Sequence, residues 1–175
     1  INKIKKNKKF KSLLQNYWGH SSMIIRWVGA LEKKNSLKDN ATAFRIARPT
    51  PSKDVGGIHY DLPYGRQKVP NKDEKALVTI WCPIEGFSER YTLKLAPKSH
   101  LTHHNLNKIS KQKKFLSPVF DKKYTKKFKY FRPRLKKGEA IIFHPNLLHG
   151  ASYNLGKNTR VSIDLRVFNS KRAKF

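Results

Sequence analysis

The sequence predicts a mainly β protein, because its apolar residues recur with strand spacing between turn residues. Residues 159–168 alternate strictly, while residues 139–143 and 77–82 are short apolar runs bounded by Gly138 and Pro83. The alternation puts two sets of side chains on opposite faces of one strand, the apolar Val161, Ile163, Leu165 and Val167 and the polar Arg160, Ser162, Asp164 and Arg166. A strand with a charged face predicts a polar cavity on that side of the sheet.

The other elements follow in chain order. Apolar residues at helical spacing predict a helix over residues 8–18, after a start that carries six lysines in residues 1–11. Strands are expected at 23–28, at 42–47, which Pro49 stops, and at 91–96.

Composition limits the class of protein. The chain has 175 residues, of which 38% are hydrophobic, so we expect one globular domain with a sizeable core. Cys82 is the single cysteine, which excludes a disulfide framework and indicates a reducing, cytoplasmic setting. No apolar run approaches the roughly 20 residues of a membrane span, and the basic start does not resemble a signal peptide.

The formal net charge of +28 suggests nucleic-acid binding at first sight. However, lysine outnumbers arginine 29 to 10, and sequence-specific contacts favour arginine. No zinc finger, aromatic RNA-binding signature or helix-turn-helix is evident. We therefore expect the main partner to be a small molecule, and we disfavour nucleic acid.

A His-x-Asp pair lies in residues 56–65, GGIHYDLPYG. His59 and Asp61 are two apart, so in an extended segment they face the same side. One imidazole and one carboxylate supply two of the three ligands of a facial triad. His149, at the turn between the last two strand patterns, offers a third ligand, and Arg160 offers a clamp for a carboxylate. Taken alone, His-x-Asp is also compatible with a polar turn before Pro63.

Several other residues compete for these roles. His100, His103 and His104 cluster but lack a carboxylate at ligand spacing, and His144 is expected to be a structural hydrogen-bonding residue. Arg166 is the rival of Arg160, with a structural alternative in which it pairs with Asp164 or another acid. For Arg45 and Arg48, a role toward a carboxylate and an exposed or paired role are equally open.

The segment from Trp81 to His100 carries a family resemblance. A strand with Trp81, then Pro83, an acidic loop, a second strand and Pro97-Lys98-Ser99-His100 resembles the core of the phytanoyl-CoA dioxygenase-like family, which usually has glycine where Lys98 stands. The resemblance covers about residues 43–168. It implies a double-stranded β-helix, a cupin-like jelly roll with a few flanking helices. Residues 1–175 would form a single oxygenase domain, with a helical and basic segment at 1–40.

The resemblance also implies the site. It assigns iron(II) to His59, Asp61 and His149. It assigns the distal carboxylate of 2-oxoglutarate to Arg160, with Ser162 as a further donor and Trp81 lining that pocket. The implied activity is a dioxygenase that uses O2 and 2-oxoglutarate to hydroxylate a small molecule, releasing succinate and CO2. The alternatives are a cupin-like sugar-binding or isomerase module and a basic nucleic-acid-binding protein.

A basic insertion is expected at about residues 101–137. Residues 108–137 contain 13 Lys and Arg against one acid, Asp121, with aromatic residues between them. We expect a mobile surface excursion near the open end of the barrel. Three interpretations remain open: a solvated surface, a lid that attracts an anionic group of the substrate, and a nucleic-acid contact.

Overall fold

A computed structural model of the chain describes residues 2–26, 43–49, 54, 57–61, 73–104, 110–112, 115–117, 120 and 122–173. Its helices are α1 (Asn2–Lys6), α2 (Lys8–Trp18) and α3 (Lys122–Thr125). Its strands are β1 (Met23–Arg26), β2 (Ala43–Ala47), β3 (Leu77–Glu85), β4 (Leu93–Leu95), β5 (Ser110–Gln112), β6 (Phe115–Ser117), β7 (Ile141–Phe143), β8 (His149–Ala151) and β9 (Arg160–Asn169). The ends of two predicted strands, residues 27–28 and 42, lie outside the described residues.

The larger sheet is antiparallel and is built around β9. Its order is β1–β9–β3–β7, and β2 also pairs with β9. β1 and β2 occupy successive stretches of one edge of β9, while β3 takes the other edge. The strand predicted at 159–168 is thereby confirmed, with bounds Arg160–Asn169, and the structure places it at the centre of the sheet.

A second, smaller layer faces the large sheet. β4 pairs with β8, and two isolated bridges extend the layer on both sides, one joining His59 to His149 and the other joining Leu95 to Phe131. Two antiparallel layers of this kind form a jelly roll, so the predicted fold class is confirmed.

The two faces of β9 explain how the layers pack. Its apolar face, with Leu165 and Val167, lies against Phe10 and Leu14 of α2. Asn7 is the N-cap of α2, and its side chain accepts a hydrogen bond from the amide of Phe10 at 2.9 Å. Its polar face, with Arg160, Ser162 and Arg166 all buried, turns toward the interior of the barrel. In the described part of the chain, no helix is long and apolar enough to cross a membrane.

The second half of the basic insertion does not stand away from the barrel, which corrects our expectation. Phe120 is buried, and its amide donates a hydrogen bond to the carbonyl of Ile58 at 3.4 Å. Three partly buried aromatic residues pack on the same core cluster, Tyr124, Phe128 and Tyr130. All nine Lys and Arg of residues 122–137 are nevertheless exposed, so this segment has an aromatic inner side and a basic outer side.

The backbone conformation of Lys98 explains why glycine suits this position. Its φ is +63°, in the left-handed region that glycine adopts without a steric penalty. The following turn, Ser99–Leu101, is a short 3-10 helix, and Ser99 Oγ accepts a hydrogen bond from the amide of Leu148 at 2.8 Å. The lysine therefore adopts a left-handed backbone conformation that glycine would adopt at lower cost.

Replacing Leu14 by alanine should test the packing of α2. Leu14 is 0% exposed, so we expect Leu14→Ala to lower the free energy of unfolding by about 2–5 kcal/mol. Leu13→Ala is the matched control, because Leu13 is 41% exposed and its truncation should cost less than about 1 kcal/mol. Chemical denaturation of both variants measures the difference, and equal losses would show that α2 is packed differently.

Candidate metal centre

His59 and His149 are held together by their own backbones. Each amide donates to the carbonyl of the other at 2.9 Å, which forms the bridge between the 57–61 segment and β8. The two segments approach closely at Gly150, where a Cβ would lie 2.9 Å from Ile58 Cδ1 and 3.2 Å from the carbonyl of Gly57. A side chain at residue 150 would therefore displace the end of the Ile58 side chain and crowd the carbonyl of Gly57.

Three potential ligands converge beneath this bridge. The Nε2 atom of His59 lies 4.0 Å from Asp61 Oδ1, and the Nε2 atom of His149 lies 3.8 Å from Asp61 Oδ2. All three ligand atoms lie within 4.8 Å of one another. Within the described residues, this is the only group of three or more His, Cys, Asp and Glu that could hold a metal ion. The structure thus brings together the three residues that the sequence singled out.

The hydrogen bonds of both imidazoles prepare them for a cation. His59 Nδ1 lies 2.8 Å from the carbonyl of Gly57, and His149 Nδ1 lies 2.9 Å from the carbonyl of Leu147. A carbonyl only accepts, so in the neutral imidazole the proton is on Nδ1 and the lone pair is on Nε2. Both lone pairs point toward the carboxylate of Asp61 at distances too long for hydrogen bonds. Two nitrogen donors and one carboxylate without a proton between them fit a divalent transition metal.

The charge states of the group agree with metal binding. Burial, together with the nearby His149, lowers the pKa of His59 to about 4 against the opposing attraction of Asp61, so His59 is neutral at physiological pH. Burial alone would raise the pKa of Asp61. The attraction of Arg166, followed by the two histidines, instead brings that pKa well below its usual range, so the carboxylate is ionised.

Arg160 is buried on the polar face of β9, the face that also carries Arg166. Its Nη1 donates hydrogen bonds to two backbone carbonyls, that of Tyr91 and, at 3.2 Å, that of Ser152. Its Nε is buried without a hydrogen-bond partner in the described part of the chain, and no carboxylate of that part lies within ion-pair distance. Two peptide carbonyls therefore stand beside this guanidinium.

Ser162 and Trp81, the other residues expected to contact the cosubstrate, are both buried. Ser162 has its side chain on the Arg160 face of β9. Trp81 packs in an apolar cluster with Leu93, Leu95, Phe143 and Leu147. Their roles toward a cosubstrate stay predictions.

The competing residues have structural partners. Arg166 pairs with an acid, as its alternative allowed, but that acid is Asp61 and not Asp164. Arg45 pairs with Asp164 at 2.8 Å, and Arg48 pairs with Asp54 at 2.7 Å. Both arginines are more than half exposed, which favours their paired role over a role in the site.

His104 and His144 form hydrogen bonds outside the triad. The two ring nitrogens of His104 contact the hydroxyl of Tyr124 at 2.6 Å and the carbonyl of Asn146 at 3.1 Å. His144 Nδ1 accepts a hydrogen bond from the amide of Asn146 at 3.1 Å, which confirms its structural role.

Sequence reasoning missed Thr79. Its hydroxyl donates to Asp61 Oδ2 at 2.6 Å, and the residue is 1% exposed. The available signal was a single hydroxyl in the apolar run 77–82, because a buried polar side chain needs a hydrogen-bond partner. The partner itself could not be inferred from the sequence.

A jelly roll with a buried His-Asp-His group in one end defines a class of metal-binding barrels. The comparison with protein families narrows this class: residues 6–162 match the family described as phytanoyl-CoA dioxygenase (PhyH). The chain belongs to this family, which confirms the resemblance seen in the sequence. Comparison with curated protein sequences gives no significant match.

Solved structures agree with the fold. EctD from S. alaskensis, solved with 2-oxoglutarate and 5-hydroxyectoine, has a TM-score of 0.63 at 12% identity over 98% of this chain and 52% of its own. The epimerase SnoN, solved with Fe3+, alpha ketoglutarate and nogalamycin RO, has a TM-score of 0.60 at 14% identity over 97% of this chain and 58% of its own. The non-heme monooxygenase ThoJ, in its apo form, has a TM-score of 0.60 at 14% identity over 96% of this chain and 54% of its own.

The chain spans between about half and three fifths of the length of these three structures. The expected cofactors, iron and 2-oxoglutarate, agree with the family and with the His-Asp-His group. The similar structures include an epimerase, a carbocyclase and a monooxygenase, so the shared fold does not select one reaction.

His144 should make the stability of the protein depend on pH. Burial, followed by repulsion from His100, lowers the pKa of His144 from 6.5 to about 4 in the folded protein. The unfolded chain takes up this proton near pH 6.5, so the contribution is complete above that pH and is lost as the pH falls through about 4.

We expect His144→Asn, which keeps an acceptor for the Asn146 amide, to lose stability less steeply than the wild type between pH 6.5 and 4. His103→Gln is the control, because His103 is exposed. Denaturant titrations of chelator-treated protein at several pH values provide the measurement. Identical slopes for all three proteins would contradict the expectation.

Proposed function

We propose that this protein is an iron(II)- and 2-oxoglutarate-dependent dioxygenase that hydroxylates a small molecule. The observation that carries the proposal is the buried group of His59, Asp61 and His149, whose two imidazole lone pairs face one ionised carboxylate. Two histidines and one carboxylate occupy one face of a metal ion and leave positions for other ligands. When bound there, iron(II) with 2-oxoglutarate supplies the oxidative chemistry that amino-acid side chains lack.

The side chains of the site have separate roles in this proposal. The imidazoles of His59 and His149 and the carboxylate of Asp61 hold the metal ion, and the carbonyls of Gly57 and Leu147 fix the orientation of the two rings. The low pKa of Asp61 keeps the carboxylate ionised without competition from protons. The apolar cluster around Trp81 and Phe143 limits the access of water to the interior.

Arg160 binds the distal carboxylate of 2-oxoglutarate in this proposal. Burial lowers the pKa of its guanidinium, an effect that Asp164 only partly offsets. A buried cation without an acidic partner favours an anionic guest, and the donor at Nε remains available for a carboxylate oxygen. Ser162 and Trp81 are proposed to complete this pocket.

The substrate is proposed to be a small molecule. An anionic group on it would be attracted by the nine exposed Lys and Arg of residues 122–137. The same charges are the observation in favour of nucleic-acid binding, which would need no metal and would weaken steeply with salt. A cytoplasmic setting also remains part of the proposal.

Titration of 2-oxoglutarate under anaerobic conditions with saturating iron(II) tests this function. We expect Arg160→Lys to weaken 2-oxoglutarate binding about tenfold or more, because lysine keeps the charge but loses the planar fork. His59→Ala should abolish iron binding. Arg172→Lys is the control, since Arg172 pairs with Asp73 on the surface, and it should bind 2-oxoglutarate normally.

The comparison with Arg166→Lys decides between the two buried arginines. If Arg166→Lys alone weakened 2-oxoglutarate binding at saturating iron(II), Arg160 would not be the residue that binds its distal carboxylate. If the wild type failed to bind 2-oxoglutarate at all, the proposed function would be wrong.

A further inference from the structure

The carboxylate of Asp61 accepts hydrogen bonds from two side chains of the large sheet. Arg166 Nη2 donates to Asp61 Oδ1 at 2.6 Å, and Thr79 Oγ1 donates to Asp61 Oδ2 at 2.6 Å. The side chain of Asp61 is 0% exposed and that of Arg166 is 4% exposed, so both contacts are shielded from water. Each carboxylate oxygen thus has one fixed hydrogen bond.

The two donors form a single unit of the sheet. Thr79 on β3 and Arg166 on β9 are register partners, so their side chains project from adjacent points on the same face. They approach the carboxylate from the large sheet, whereas His59 and His149 belong to the opposite layer. Asp61 therefore lies between the two layers and accepts both hydrogen bonds from the large sheet.

We propose that the Thr79–Arg166 pair is a positioning clamp for the metal-binding carboxylate. This inference rests on the proposed function, because it requires a metal ion at His59, Asp61 and His149. Two short hydrogen bonds fix the rotation of the carboxylate. Each oxygen retains a second lone pair with which it can bind a metal ion held by the imidazoles. The site is thereby ordered before the metal ion arrives.

Two other roles for Arg166 give opposite results on substitution. If the arginine served only to neutralise a buried charge, its loss would reduce the stability of the fold and leave the metal affinity of the folded protein unchanged. If its positive charge mainly repelled the cation, its loss would tighten metal binding. A clamp instead requires that removing either donor weakens metal binding.

Titration with Mn(II) alone, without 2-oxoglutarate or O2, separates these cases. We expect Thr79→Val and Arg166→Met to weaken Mn(II) binding about 10- to 100-fold, the usual effect of losing a hydrogen-bond partner of a metal ligand. Thr79→Ser restores the hydroxyl and should bind within about threefold of the wild type. Arg172→Met, which breaks an exposed arginine–aspartate pair, is the matched control and should bind as the wild type does.

The outcomes distinguish this inference from the proposed function. A wild type that does not bind Mn(II) would overturn the function on which the inference rests. A wild type that binds, with Thr79→Val binding equally well, would overturn the clamp while leaving the function intact, as would tighter binding by Arg166→Met. Thr79→Val and Thr79→Ser differ from the wild type by few atoms, so this pair decides the question even where Arg166→Met fails to fold.

Discussion

The buried charge of Asp61 is the constraint on which the interior of this barrel depends. An isolated carboxylate in a protein interior costs several kcal/mol unless it is paired and hydrogen-bonded. Both layers of the jelly roll contribute to its stabilisation, since the large sheet supplies a cation and a hydroxyl while the small layer carries the carboxylate and two imidazoles. The layers cannot separate or slide without leaving this charge unpaired. The arrangement therefore fixes their relative position as well as the site.

The two buried arginines of β9 have different partners for their charge. Arg166 has its acid inside the protein, so the pair is internally neutral. Arg160 rests on peptide carbonyls, which stabilise a guanidinium through their dipoles but do not cancel its charge. The interior of the described part therefore holds one cation that is paired with an acid and one, Arg160, that has no acid within ion-pair distance. Under the proposed function, this division would let one strand serve both a metal centre and a cosubstrate pocket.

Local periodicity predicted the features that depend on one strand. The spacing of His59 and Asp61 and the alternation of residues 160–166 follow from the period of two, and both held in the structure. The partner of Arg166 did not follow, because Asp164 is two residues away while Asp61 is 105 residues away, and only the tertiary fold brings Asp61 close. Thr79 was missed for the same reason.

The basic insertion shows a second limit of sequence reasoning. Its lysines dominate the composition, and α3 is too short for a helical period to stand out. The aromatic residues that anchor it lie one or a few residues from exposed lysines, so an interpretation based on composition places the whole segment in solvent. Burial separates the two sets: Phe120 belongs to the core, whereas Lys122 and Lys123 do not.

The central position of β9 has a consequence for the order in which the chain assembles. β1 and β2 hydrogen-bond to no other described strand, and β3 has only the short β7 besides. During synthesis on the ribosome, these segments leave the exit tunnel long before residues 160–169 do. A contact cannot form before both partners exist. The pairing of the large sheet, the packing of α2 against it and the burial of both arginines are therefore completed together in one late step. Such non-local pairing is slow to fold, and the unfinished chain carries its apolar strands exposed throughout that interval.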